Sequence, residues 1–284
     1  MCLLDVFHKL KKKYNLKIII AHVNYGLRGK DSEKDERFIR NLAKKYSLPI
    51  EIKRGSGVRG QGLKSEEGLR NFRYDFFEKL RKKYQADVIA VGHNLNDQAE
   101  TVLMRIMRGT GLRGLGAIKF RNNGIIRPLL NIYRKEILAH MRKNKLSFRI
   151  DKTNLKADFT RNKIRNKLLP YIAKSFNPNI EEALYKLSKS VADDYDFINS
   201  FAREWLAASK IPTVSELNSL HPAIQREVVR LMVEKHNPGL REIEAGHIDE
   251  ILKIARSEKN KRQTIRLKGL KIERISDKLI ISRK

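Results

Sequence analysis

Cysteine is almost absent: Cys2 is the only one among 284 residues. A single thiol excludes an internal disulfide and any metal cluster built from cysteines. The scattered histidines His8, His140, His221, His236 and His247 have no spacing that would build a zinc site. Long apolar runs are missing as well. None approaches the ~20 residues that a bilayer-spanning helix needs, and the N-terminus lacks the apolar stretch and cleavage site of a secretory signal. The expectation is a cytoplasmic protein with no membrane partner. Acidic residues are scarce: 32 Asp plus Glu face 61 Lys plus Arg, a formal charge of +29 with a pI near 10.2. An excess of that size is the footprint of a polyanionic partner. The basic residues run from Lys9 to Lys284 instead of forming one tail, which suits a large folded RNA. No concentrated amphipathic helix speaks for a membrane surface.

What is present is enough apolar material, 41% of residues, to fill cores in roughly two domains. Lys17 to Val23 reads as a strand. Ser32 to Tyr46 reads as a helix with Phe38, Ile39, Leu42 and Ala43 on one stripe, and Pro49 to Lys53 as a second strand. A helix from Leu69 to Tyr84 and a third strand from Ala86 to Gly92 continue the alternation. That order predicts an α/β fold with a doubly wound, mostly parallel sheet. Met1 to Leu10 is itself helical, with Leu3, Leu4, Phe7 and Leu10 on one face. The character changes after Pro170, where a mainly helical second domain ends in short strands near Thr264, Leu270 and Lys278. The expected domains are 1–176 and 177–284. There is neither an internal repeat nor a low-complexity tract.

The chemistry concentrates in Gly92-His93-Asn94-Leu95-Asn96-Asp97-Gln98-Ala99-Glu100-Thr101. It places two carboxylates at the start of a helix directly after a strand, where open α/β sheets bind their ligands. Asp97, Glu100, Thr101, Met104 and Arg108 share one helix face, expected to be free to act, while Ala99, Val102, Leu103 and Ile106 form the core stripe. Taken alone, first-turn carboxylates more often complement the helix dipole than bind a ligand. Arg161 and Arg165, four apart, share a face, and by themselves would more often pair with Asp158 or other acids. Two Gly-x-Gly-x-x-Gly strings, from Gly55 to Gly60 and from Gly109 to Gly114, do not both follow a strand and open a helix, so neither reads as a dinucleotide fingerprint. His22 and His93 each sit at the carboxyl end of a strand.

The long motif resembles the His-x-x-Asp-Asp-Gln-x-Glu-Thr signature and Arg-Gly-x-Gly-x-x-Gly-Leu tail of the tRNA(Ile)-lysidine synthetase family, within the N-type ATP-pyrophosphatase (PP-loop) superfamily. The likeness extends to His22-Val23-Asn24-Tyr25-Gly26-Leu27-Arg28, Arg70-Asn71-Phe72-Arg73-Tyr74, Arg127-Pro128-Leu129-Leu130, Asp151 to Asn154, and Arg161-Asn162-Lys163-Ile164-Arg165. The resemblance implies a PP-loop ATPase fold whose ATP and Mg²⁺ are met by Asp97 and Glu100. Arg73 and Arg165 would face the departing pyrophosphate and the RNA phosphates, with His22, Asn24, His93 and Arg108 contacting the nucleotide. It also implies the partners: an isoleucine tRNA with a CAU anticodon and free L-lysine. The oligomeric state is left open, a dimer among the options. Thiolating relatives fit less well, because they use cysteine pairs, and ligases with another nucleophile bring other domains. Two departures stand out. Asn96 occupies the place of the first Asp of the pair, and the sequence begins just after the place of the family's Ser-Gly-Gly-x-Asp-Ser phosphate loop. Met1 is therefore expected to be an internal methionine of a longer chain. The rival expectation is a non-catalytic tRNA-binding remnant, and the sequence as written is expected to form no lysidine until the upstream segment is restored.

Overall fold

The computed structural model describes residues 1–55, 66–149, 160–208, 212–240, 242–258 and 262–283. Most of the first glycine string, the Asp151 to Asn154 stretch and Asp158 lie outside them. The chain divides into two compact units, one of residues 1–104 with 118–185 and one of 105–117 with 186–284.

The first unit opens with helix α1 (Cys2–Leu10) and then a β-α-β arrangement: β1 (Ile20–Asn24), α2 (Lys30–Lys45) and β2 (Ile50–Arg54). The two strands pair in parallel from Ile20 opposite Ile50 to Asn24 opposite Arg54. The stripe of α2 closes over them, with Leu42, Tyr46 and Leu48 buried against Leu4, Ile18, Ile20, Phe38 and Ile39. In α1 the deepest residues are Cys2 and Asp5, not the leucine stripe. Asp5 is paired with His140, 2.8 Å away, and with Lys9 at 2.9 Å.

Helix α3 (Glu66–Lys83) leads to β3 (Ile89–Ala90) and α4 (Leu95–Met107). Helix α5 (Leu112–Leu115) precedes a hairpin of β4 (Arg121–Asn122) and β5 (Ile125–Ile126). Asn123 and Gly124 both have positive φ, 45° and 76°, the backbone of a two-residue hairpin turn. β5 pairs in parallel with β3. The strand expected over Ala86 to Gly92 is thus regular only at Ile89–Ala90, because its partner is two residues long and gives way to Arg127 and Pro128. Bonds from Ile89 N to Gly124 O and from Val91 N to Ile126 O extend the pairing at either side. Among the described residues the strands of this unit form two sheets, the parallel pair β1-β2 and the mixed sheet β3-β5-β4.

Helix α6 (Arg134–Lys143) follows; beyond 159 come α7 (Thr160–Lys163), a π-helical turn at Ile164–Leu168, and α8 (Leu169–Ser175). Single π turns are concentrated at functional sites.

Helix α9 (Ile180–Ala208) runs into the second unit, which adds α10 (Val214–Ser219), α11 (Pro222–His236) and α12 (Ala245–Ala255). An antiparallel meander of β6 (Gln263–Leu267), β7 (Leu270–Ile275) and β8 (Lys278–Arg283) closes the chain. Lys268 and Gly269, at φ 48° and 78°, make its first turn. The core draws Val228, Val229 and Val233 from α11, Ile248, Ile251 and Leu252 from α12, and Ile272 and Ile281 from the strands. The parallel α/β part, the helices and the short terminal strands match the architecture expected from the sequence. No helix among the described residues is long and apolar enough to cross a membrane.

Candidate active site

Helix α4 begins with a reciprocal cap. Asn94 Oδ1 accepts from the Asp97 backbone N–H at 3.1 Å, and Asp97 Oδ2 accepts from the Asn94 N–H at 3.0 Å. Two of the helix's otherwise unpaired donors are satisfied in this way, so one oxygen of Asp97 serves the fold. Its other oxygen, Oδ1, accepts from Arg165 Nη2 at 2.9 Å. The same guanidinium grips Glu100 with both prongs, Nε to Oε1 at 2.5 Å and Nη2 to Oε2 at 2.8 Å. Arg161 lies behind it, with Nε 3.9 Å from Glu100 Oε2 and Nη2 3.5 Å from Thr101 Oγ1. The spacing of Arg161 and Arg165, carried by α7 and the π turn, brings both to Glu100.

This arrangement corrects one sequence expectation. The face of α4 expected to be open is covered: Glu100 is 1% exposed and Thr101 and Met104 are buried along with Ala99 and Val102. Arg165 and Arg161, 61 to 65 residues away in sequence, are what cover the acids. Ile106, expected in the core stripe, is 45% exposed, because the last turn of α4 extends past Met104, where the first unit's share of the helix ends.

Burial raises the Glu100 carboxyl above the usual range, and the doubly bonded Arg165 opposes that shift. His93, in the turn between β3 and α4, is held down at about 4 by burial, with Arg127, Arg70 and Arg161 adding to the effect and Asp97 opposing it. It is therefore a neutral imidazole near pH 7, and its Nδ1 is buried without a hydrogen-bond partner. The unfolded chain takes up a proton near pH 6.5 where the folded chain resists to about 4, so stability falls as pH drops through that window. His93→Gln should flatten this limb by on the order of 2 kcal/mol in urea titrations at pH 7 and pH 4.5. An unchanged slope would mean that His93 titrates normally.

Asn96 is fully engaged. Its Nδ2 donates to Glu181 at 2.6 Å and its Oδ1 accepts from the Arg134 N–H, the first amide of α6, at 2.8 Å. An aspartate here would keep the cap but set two carboxylates face to face. Asn96→Asp should cost about 1–3 kcal/mol at neutral pH. Glu181→Gln should restore that loss in the double variant, as read from thermal unfolding.

The other predicted residues are placed as follows. Asn24 is buried, donating to Glu36 Oε2 at 3.0 Å and accepting from the Gly26 N–H at 2.9 Å. Arg54, Asn24 and Arg40 together hold the Glu36 carboxyl far below its ordinary range. His22 is half-buried near this cluster, and burial lowers its pKa. Arg73 lies 5.5 Å from the Tyr74 ring centroid, beside Arg70 at 5.2 Å. Arg108 is exposed just past the end of α4, eleven residues and about 16 Å of helical rise from Asp97. The structure thus brings together Asp97, Glu100 and Arg165, with His93 in electrostatic range of Asp97. It groups His22 and Asn24 around Glu36 instead. Sequence reasoning did not single out Glu181, Arg70 or Arg127 as site residues, although the last two lay inside quoted motifs.

A divalent cation would need open carboxylate oxygens. All four oxygens of Asp97 and Glu100 are engaged by Arg165 or the Asn94 N–H, and no group of three metal-ligating side chains occurs among the described residues. As arranged, these donors do not fit Mg²⁺. The metal role implied by the resemblance would require Arg165 to release both acids.

A family model described as a PP-loop domain matches residues 1–172, and one described as a TilS substrate binding domain matches residues 213–280. The tRNA(Ile)-lysidine synthase of Clostridium tetani is 37% identical over 272 residues, covering 92% of this chain and 58% of that protein. The tRNA(Ile)-lysidine synthase of Clostridioides difficile is 36% identical over 294 residues, covering 99% and 64%. That of Bacillus subtilis is 35% identical over 248 residues, covering 82% and 52%. The chain therefore spans less than two thirds of the length of these curated relatives. Among solved structures, the U34-tRNA thiolase NcsA from Methanococcus maripaludis with its 4Fe-4S cluster is similar with a TM-score of 0.55 at 17% identity, over 68% of this chain and 67% of that one. At that identity the likeness speaks for the fold alone.

Proposed function

The chain belongs to the PP-loop family, and from that membership we propose that it carries the catalytic and tRNA-holding parts of an ATP-dependent tRNA(Ile)-lysidine synthase. In this reading ATP adenylates the C2 oxygen of the wobble cytidine of an isoleucine tRNA with a CAU anticodon, and pyrophosphate leaves. The amine of free L-lysine then attacks C2 and expels AMP. Activation turns a poor oxygen leaving group into a phosphate ester, and cations placed before the reaction offset the charge that develops.

One observation carries the reading: the Arg165 guanidinium, held by three bonds to Glu100 and Asp97 at the head of the motif helix, beyond the end of β3. Pinned this way, it can meet an oxyanion without first losing side-chain entropy. Asp97 and Glu100 are assigned to positioning Arg165, and no step is routed through a metal on them. Neutral His93 is assigned as a hydrogen-bond donor to the nucleotide. Residues 1–176 would form the nucleotide-binding domain and 177–284 the domain holding the tRNA body, to which the charge of +29 is suited.

The test is lysine-dependent AMP release on a CAU-anticodon isoleucine tRNA transcript, by the 284-residue chain and by a version with the upstream phosphate-loop segment restored, with lysidine scored by mass spectrometry of the digested RNA. AMP release that needs both lysine and tRNA supports the proposal. Release with ammonia or a sulfur donor instead points to another PP-loop chemistry, and tight tRNA binding with no AMP points to the non-catalytic reading.

A further inference from the structure

Arg127 is 4% exposed, the least accessible arginine of the first unit, yet it has no carboxylate partner among the described residues. Its Nη1 donates to the Lys119 carbonyl at 2.6 Å, and its Nε is buried with no partner among the described residues. One neutral carbonyl does not compensate a guanidinium withdrawn from water. Such a charge is retained where something anionic arrives.

The surroundings indicate where. Arg127 is the first residue beyond β5, and His93 lies just beyond the parallel β3, so both stand at the carboxyl ends of neighbouring strands. Ligands of open α/β sheets lie in this position. The charges of Arg127, Arg70 and Arg161 all act on His93, and Asp97 opposes them. Arg70, on α3, is exposed, so the cluster grades from a solvent-facing cation to a buried one. His93 contributes an unpartnered ring nitrogen.

We propose that Arg127, with Arg70 and His93, forms a subsite for a phosphate-type oxyanion, in which the buried Arg127 fork is the principal ligand. The inference rests on reading this site as nucleotide- and RNA-binding, and extends it to an arginine that touches neither Asp97 nor Glu100. The oxyanion is either a nucleotide phosphate or a phosphate of the RNA backbone, and both present the same oxygens to the fork.

The experiment measures inorganic pyrophosphate binding by calorimetry and tRNA binding by fluorescence anisotropy, for the wild-type chain, Arg127→Met, Arg127→Lys and Arg70→Met. Circular dichroism checks the fold of each. Pyrophosphate affinity tenfold or more weaker in Arg127→Met, with tRNA affinity within twofold, supports the subsite and assigns it to the nucleotide. The reverse pattern supports it and assigns it to the RNA backbone. Arg127→Lys should recover only part of the loss, because an ammonium cannot form the fork. If Arg127→Met fails to fold, the exposed Arg70→Met decides, with a two- to fivefold weakening of the same ligand expected. Folded variants binding both probes as the wild type does would overturn the subsite while leaving the function reading intact. A wild-type chain binding neither probe would overturn both.

Discussion

In the version with the upstream segment restored, Arg165→Met is expected to reduce lysine-dependent AMP release at least a hundredfold, and in either version to destabilise the first unit by about 3–5 kcal/mol. The two effects have one source. The guanidinium makes three hydrogen bonds of 2.5 to 2.9 Å to Glu100 and Asp97. Removing it strands a carboxylate that is 1% exposed. Stability and activity can be separated by a second substitution. In Arg165→Met with Glu100→Leu the stranded charge is gone, and a buried pair replaced by apolar groups is commonly neutral or stabilising. The double variant should recover most of the stability, measured by urea unfolding, without recovering AMP release. Recovery of both would show that Arg165 serves only the fold. Arg165→Lys should fold nearly as well as the wild type but lose ten- to a hundredfold in rate, because an ammonium cannot bond Glu100 at both oxygens.

Glu227→Ala should cost the second unit about 2–4 kcal/mol. Glu227 is 4% exposed on α11 and accepts two hydrogen bonds of 2.7 Å from α9, from Tyr195 Oη and Asn199 Nδ2, with Arg230 Nε 3.6 Å from its other oxygen. Burial, with Glu227 next to it, raises the Tyr195 phenol above its ordinary range, so the hydroxyl stays a donor across the accessible pH range. Truncation leaves that hydroxyl and the Asn199 amide unsatisfied and opens a void between two helices. Glu227→Gln keeps an acceptor oxygen in place and should cost no more than about 1 kcal/mol. Equal losses for the two variants in chemical denaturation would assign the effect to charge instead of to hydrogen bonding. tRNA binding of folded Glu227→Gln should match the wild type.

The alternation of strands and helices in the first unit, the helices and terminal meander of the second, and the position of Asp97 and Glu100 at the head of a helix were all legible in the sequence. Each depends on local information: apolar periods of two and 3.6, turn residues such as Gly269, and two acids three apart directly after a strand. The resemblance also picked out Arg165, which the structure brings onto Glu100 and Asp97.

What no local pattern could supply is which face of α4 is covered, and by what. Glu100 reads as an exposed helix acid until α7 and the π turn bring Arg161 and Arg165 onto it. Asn96 reads as a lost charge until Glu181, 85 residues on, is found accepting its amide. Arg127 reads as one of 61 basic residues until the end of β5 buries it with no carboxylate partner among the described residues. The sequence by itself determined the elements and the motif, because helix and strand periodicity depend on near neighbours. Only the tertiary structure decided which charges are paired and which are buried, because desolvation and Coulomb energy depend on groups brought close from distant parts of the chain.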